Sequence, residues 1–165
     1  MTSRITDKKE IERQLSSFID RTSTLMLATV NDDGLPEASY APYVEHDGCY
    51  YILISGLASH TANLKKSGMA SILFMDNCDN VHAFAQKRLT CHCTATAVTR
   101  EGDLFASLMA LMEESFGKLI TTLRGLNDFQ LFQLSPIKGN FVAGFGQAFE
   151  VDFPLGGDIR HKKPG

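Results

Sequence analysis

The stretch from Leu25 to Ser55 constrains the fold most, because three short apolar runs are separated there by two Gly-ended turns. LMLATV (25–30) leads into NDDG (31–34), LPEASYAPYV (35–44) into EHDG (45–48), and CYYILIS (49–55) follows. Asn, Asp and Gly between two apolar runs favour hairpin turns, and Gly34 can take a positive φ. Three strands joined this way form an antiparallel meander.

The remaining segments add helices at the periphery. Residues 6–20 place Ile11, Leu15, Phe18 and Ile19 on one helical face, with Thr6 or Asp7 as N-cap. SHTANLKKSG (59–68) predicts a short helix capped by Ser59 and ended at Gly68. ASILFMD (70–76) and KRLTCHCTATAVT (87–99) read as strands. Residues 102–124 predict one long helix, and 129–152 two further strands with Pro136 and Gly139 between them. Hairpin-linked strands with only peripheral helices make a mainly β, α+β fold, an antiparallel β-barrel and not a doubly wound parallel sheet. The expected division is one barrel domain over 1–155 and a C-terminal arm over 156–165.

A net charge of −3 gives no reason to expect nucleic acid as a partner. No apolar run approaches the ~20 residues of a membrane span, and the charged MTSRITDKKEIERQ start has no apolar signal region. A cytoplasmic protein is expected, with Cys49, Cys78, Cys91 and Cys93 as reduced thiols. CHC (91–93) has no CxxC partner. On a strand its two thiols face one side and His92 the other, so the three cannot converge on a metal.

Two local clusters carry candidate chemistry. In SGLASHTANL (55–64), Ser55, Ser59, His60, Thr61 and Asn63 gather at a helix start, where free N–H groups and hydroxyls suit a phosphate. Plain N-capping explains Ser59 as well. In QKRLT (86–90), Lys87 and Arg88 open a strand, so one of them faces the barrel or its groove and the other faces solvent. An inward Arg binds phosphate or carboxylate through its planar fork. GFGQAF (144–149) lacks the third glycine of a dinucleotide fingerprint and lies in a strand pattern, and no nucleophile elbow is present. GGDIRHKKPG (156–165) reads either as a frayed tail or as an arm whose His161 supplies a neutral nitrogen ligand.

LATVNDDGLPEASYAPYV, YYILISGLASHTANL, KRLT and DFQLFQLSPIKGNFVAGFGQAFEV together resemble the split-barrel flavoprotein superfamily related to pyridoxamine 5′-phosphate oxidase. Within it they are most similar to the haem-utilisation (HugZ/HutZ-type) branch, from about residue 10 to 150. The resemblance implies a six- or seven-stranded split barrel that forms a homodimer with ligand grooves between subunits. In the flavin-binding relatives, the positions of Ser39, Tyr40, Ala41 and Pro42 line the flavin ring. Those of Ser59, His60 and Thr61 meet the FMN phosphate there, helped by a basic residue such as Arg88.

In the haem branch, the resemblance implies haem in the intersubunit groove with Arg88 nearby. It also implies an iron-binding histidine on the C-terminal arm, and support for it from Asp128. Chains of that branch continue into a Gly-His pair past the point where this sequence stops. Either His161 takes the ligand role or the ligand lies further on. NCDNVHAFAQ (77–86) departs from the branch pattern, and His82 is read as a loop residue without a role. The resulting expectation is a haem-degrading oxygenase that releases iron. An FMN-dependent oxidoreductase and a non-enzymatic haem storage or transfer protein are the alternatives.

Overall fold

The structure, a computed structural model, describes residues 7–75 and 80–162. Thr6, Cys78 and Lys163 therefore lie outside the described residues. The chain order is α1 (Lys8–Ile19), β1 (Thr24–Val30), β2 (Pro36–His46), β3 (Cys49–Ser55), α2 (Ser59–Ser67), β4 (Met69–Met75) and β5 (Arg88–Ala97). There follow α3 (Asp103–Phe116), α4 (Leu119–Gly125), β6 (Phe129–Gly144), β7 (Gln147–Asp152) and β8 (Ile159–His161). A short 3₁₀ turn, Ala83–Ala85, precedes β5.

All strand pairings are antiparallel. The order β3-β2-β1-β4-β5-β6 closes on itself because β3 also pairs with β6, from Tyr50↔Leu134 to Ser55↔Phe129. This is a six-stranded closed barrel, as the resemblance implies, with β7 and β8 added along the far half of β6. Alternation along the strands sends one set of side chains inward. Leu27, Ile52, Ile72, Phe74, Leu89, Cys91, Cys93, Leu134 and Phe141 fill the interior. Helix α1, capped by Asp7 accepting from the Lys9 N–H, adds Ile11, Leu15, Phe18 and Ile19 to this core. A second cluster lies on the outside, where α3 and α4 cover Val44, Tyr51 and Leu131.

Three expectations need correction. The single helix over 102–124 is two helices, because Gly117 sits at φ 78, outside the helical region, and ends α3. The strand break expected near Pro136 does not occur, and β6 runs on for 16 residues. Pro136 pairs with Cys93 while the next β5 residue, His92, pairs with Lys138, so Ile137 is an extra residue at a bulge. A bulge is one of the few places where a sheet accepts proline. The real turn is at Phe145-Gly146, which makes GFGQAF the β6–β7 hairpin. No helix among the described residues is long and apolar enough to cross a membrane.

The Phe74 ring is fully buried, with centroids 5.2 Å from Tyr43 and 5.0 Å from Tyr50. Phe74→Ala should cost about 3–5 kcal/mol in urea unfolding, from lost burial and the cavity left behind.

Candidate functional site

Strand β3 ends at Ser55 and the chain turns sharply into α2. Two contacts with the residue before β6 hold this turn: the Gly56 N–H donates to the Asp128 carbonyl at 2.6 Å, and the Ser55 hydroxyl donates to the Asp128 carboxylate at 2.9 Å. A Cβ on Gly56 would lie 2.9 Å from that carbonyl oxygen, so only glycine allows the approach. The Ser55 hydroxyl also accepts from the Leu57 N–H at 3.1 Å, and the Thr61 hydroxyl donates to the Ser55 carbonyl at 2.6 Å. The Arg100 guanidinium fixes the preceding chain by donating to the carbonyls of Leu126 (2.9 Å), Phe129 (3.3 Å) and Arg124.

Ser59 is not the N-cap. Ala58 holds that position without a side-chain cap, and Ser59 lines the same hollow as Glu37. Asn63 is buried, and its amide donates both to the Glu37 carboxylate at 2.8 Å and to the Thr29 hydroxyl at 3.0 Å. Asn31 donates to the other Glu37 oxygen at 3.3 Å. Bonds from Asn63 first, then from Ser59, hold the Glu37 carboxyl below the usual carboxylate range. His60 lies close by, and burial lowers its imidazole pKa, with the Glu37 charge opposing in part. Sequence reasoning placed Ser55, Ser59, His60, Thr61 and Asn63 together, and the structure does too. It missed Glu37, which lies 26 residues before Asn63 and carried no local signal.

The other candidates lie elsewhere. Alternation splits the Ser39–Pro42 group: Ala41 is buried inside the barrel and Ser39 lies on that same side, while Tyr40 and Pro42 are exposed on the outside. Arg88 is likewise exposed and Leu89 beside it fully buried, so Arg88 points outward. Lys87 is half-buried, and its charge acts on Glu10 of α1, a carboxyl that bonds to Arg13 and Gln14 pull down to about 2. Outside the barrel, one row of paired residues crosses the strands as Tyr40, Met26, Leu73, Thr90, Asn140, Glu150 and Arg160. Around it Met26, Val30, Tyr40 and Met69 are exposed, which leaves an apolar outer face.

The C-terminal arm is not a frayed tail. Its residues Ile159–His161 form β8 against β7, and Arg160 meets the carboxylates of Asp158 (3.1 Å), Asp152 (3.3 Å) and Glu150 (3.8 Å). The exposed His161 ring stands edge-on to Phe149, 5.2 Å between centroids. His161 pairs with Phe149 and Phe149 with Phe141, whereas Asp128 precedes Phe129 at the opposite end of β6. Their separation along the strand is on the order of 40 Å. The support of His161 by Asp128 that the resemblance implies is therefore not made within one protomer. Arg88 pairs with Val142 and Val142 with Ala148, whose carbonyl accepts from the Lys162 N–H, so Arg88 and Lys162 share one row of the outer face while His161, beside Phe149, stands on the other side of the sheet.

Cys91 and Cys93 are fully buried, His92 is exposed, and no group of three metal-ligating side chains occurs among the described residues. Burial pushes the Cys91 thiol far up and the Cys93 thiol to about 12, so both stay protonated.

Residues 11–143 match the family described as pyridoxamine 5′-phosphate oxidase. Heme oxygenase HutZ of Vibrio cholerae is 42% identical over 142 residues, 86% of this chain and 81% of that protein. The crystal structure of HutZ from Vibrio cholerae, there called a heme storage protein, matches with TM-score 0.71 at 40% identity. It covers 76% of this chain and 89% of its own. Campylobacter jejuni ChuZ matches with TM-score 0.86 at 29% identity over 97% of this chain, which spans 65% of ChuZ.

Two outcomes follow from the α2 network. Asn63→Ala leaves Glu37 and Thr29 without their shared donor and should lower stability by about 1–3 kcal/mol in urea melts. His60 takes up its proton at a lower pH in the folded chain than in the unfolded one, where the value is 6.5. Stability should therefore decline as pH falls below 6.5, and His60→Gln should flatten that decline in thermal melts across pH.

Proposed function

The chain belongs to the pyridoxamine 5′-phosphate oxidase family, in its HutZ-type branch, and we propose that it binds haem and degrades it with oxygen, releasing iron. The observation that carries this reading is the 42% identity to heme oxygenase HutZ across most of both chains. Haem is the substrate, and its iron supplies the oxygen chemistry once an external donor reduces it. The protein's part is to hold the porphyrin, orient it and place hydrogen-bonding groups beside it.

The chain's own residues suit those tasks. A porphyrin already fills four positions on iron, so one imidazole from the protein is enough and no three-ligand cage is needed. His161 offers an exposed imidazole on a three-residue strand. That strand is held on β7 by its backbone ladder and by Ile159 against the core, and it carries the imidazole at the exposed edge of the sheet. Arg88 is an exposed guanidinium that makes no ion pair among the described residues, and it suits a propionate through its planar fork. Lys162, on the same arm, adds a second positive charge.

We further propose a homodimer in the cytoplasm, joined through the outer face around Met26, Tyr40 and Met69. Contiguous apolar surface of this kind marks an interaction site. Haem then lies in the groove between subunits, with Arg88 at its edge. Asp128 of one protomer can meet His161 only across that interface, because the two stand at opposite ends of β6 in one chain. Storage or transfer of haem is the second reading, and the description of HutZ as a heme storage protein favours it.

Titration of haem into the purified protein should give a saturable Soret band with one haem per protomer. His161→Ala should shift or weaken that band, and Arg88→Ala should weaken binding about tenfold through the lost propionate contact. A protein that gives no haem spectrum contradicts the proposal. Sedimentation velocity should show a dimer that Met26→Lys dissociates.

A further inference from the structure

The fold family also binds flavin mononucleotide, and the start of α2 is where the resemblance places its phosphate. The donors present there can be followed one by one. The N–H groups of Leu57, Ala58 and Thr61 are committed to Ser55 and Ala58, and the Thr61 hydroxyl to the Ser55 carbonyl. The Ser55 hydroxyl donates to Asp128. The Asn63 amide is shared between Glu37 and Thr29, a second amide, that of Asn31, also donates to Glu37, and the Ser59 hydroxyl lines the same hollow. Lys66, in the last turn of α2, is paired with Asp32 at 2.6 Å. Arg88 pairs with Val142 at the far end of β6 from Phe129, the partner of Ser55, and so lies away from this turn on the outer face.

The His60 Nε2 is buried without a partner among the described residues, but burial disfavours a positive charge on that ring, and a carboxylate already sits among the donors. We propose that Glu37 is a specificity-determining residue that closes the α2 start to phosphate, by taking its side-chain donors and by setting a fixed negative charge in their midst. A phosphate brought within a few ångströms of that carboxylate is repelled by it, and the leftover neutral donors carry no positive charge to offset the repulsion. The residues of this chain thus do not fit the phosphate of FMN, and Glu37 is the reason. The charge persists at physiological pH, because the bonds from Asn63 and Ser59 favour the ionised form.

This inference deepens the haem reading by explaining what bars the flavin of the family, and its test involves no haem, so either can fail without the other. The probes are FMN and riboflavin, which differ only in the phosphate, titrated by fluorescence quenching into the full chain. The wild type should bind FMN no better than riboflavin. Glu37→Gln keeps an acceptor for Asn63 and removes the charge, and Glu37→Ser frees the Asn63 and Ser59 donors as well. Each should bind FMN at least about tenfold more tightly than riboflavin, with circular dichroism showing the variants folded.

A wild type that already prefers FMN by that margin overturns the proposal, and this arm needs no variant. Folded variants that show no preference for FMN, whether they bind both ligands or neither, overturn it too.

Discussion

Pairing of β3 with the first half of β6 closes the barrel, and the second half of β6 then runs on to carry β7 and β8. One strand thereby belongs both to the closed barrel and to the extension that bears His161. The bulge at Ile137 makes this possible, since it absorbs Pro136 without ending the strand and re-aims the far half. Placement of the site residues follows from that geometry. Asp128 enters at one end of β6 and clamps the β3–α2 turn, while the arm docks at the other end. Asp128 and His161, which the resemblance pairs, are thus set apart within one chain, and under the proposed function a second subunit rejoins them.

Electrostatics sorts the two ends by ligand. At the α2 start, hydroxyls, an amide and a carboxylate satisfy one another, and Lys66 is spent on Asp32. At the Arg88 end, a guanidinium with no ion pair among the described residues and Lys162, 3.8 Å from Glu150, stand on the outer face, with the exposed His161 imidazole on the other side of the same edge. Under the proposed function, the first arrangement disfavours a dianion and the second suits a ligand with two carboxylates on a flat apolar ring. This contrast, built from side chains of this protein alone, points the same way as its kinship with HutZ.

How legible was this in the sequence? The meander was plain, because NDDG and EHDG state their turns locally and the strands between them alternate. Cys91 and Cys93 facing inward with His92 outward followed from the period of two. The break in the long helix was not plain, since apolar spacing continues through Gly117 and only its backbone conformation ends α3. Pro136 misled for the opposite reason: a proline that reads as a break was taken up by a bulge formed with a distant strand. In the site, the polar cluster from Ser55 to Asn63 was visible as a cluster, but its purpose was not. Ser59 reads as a cap, yet Ala58 holds that position, and Asn63 reads as one more polar residue until Glu37, a strand residue more than twenty positions earlier, is seen taking its amide. Contacts across the fold decide such cases, and a local pattern does not contain them.

Degradation is what separates an oxygenase from a store, and iron is its least ambiguous product. Haem-loaded protein, reduced with ascorbate in air, should lose its Soret band while free ferrous iron appears in a chelator assay at one iron per haem. Arg88→Ala and His161→Ala should slow both together. A Soret band that persists under these conditions, with no iron released, would contradict the account and leave a haem store.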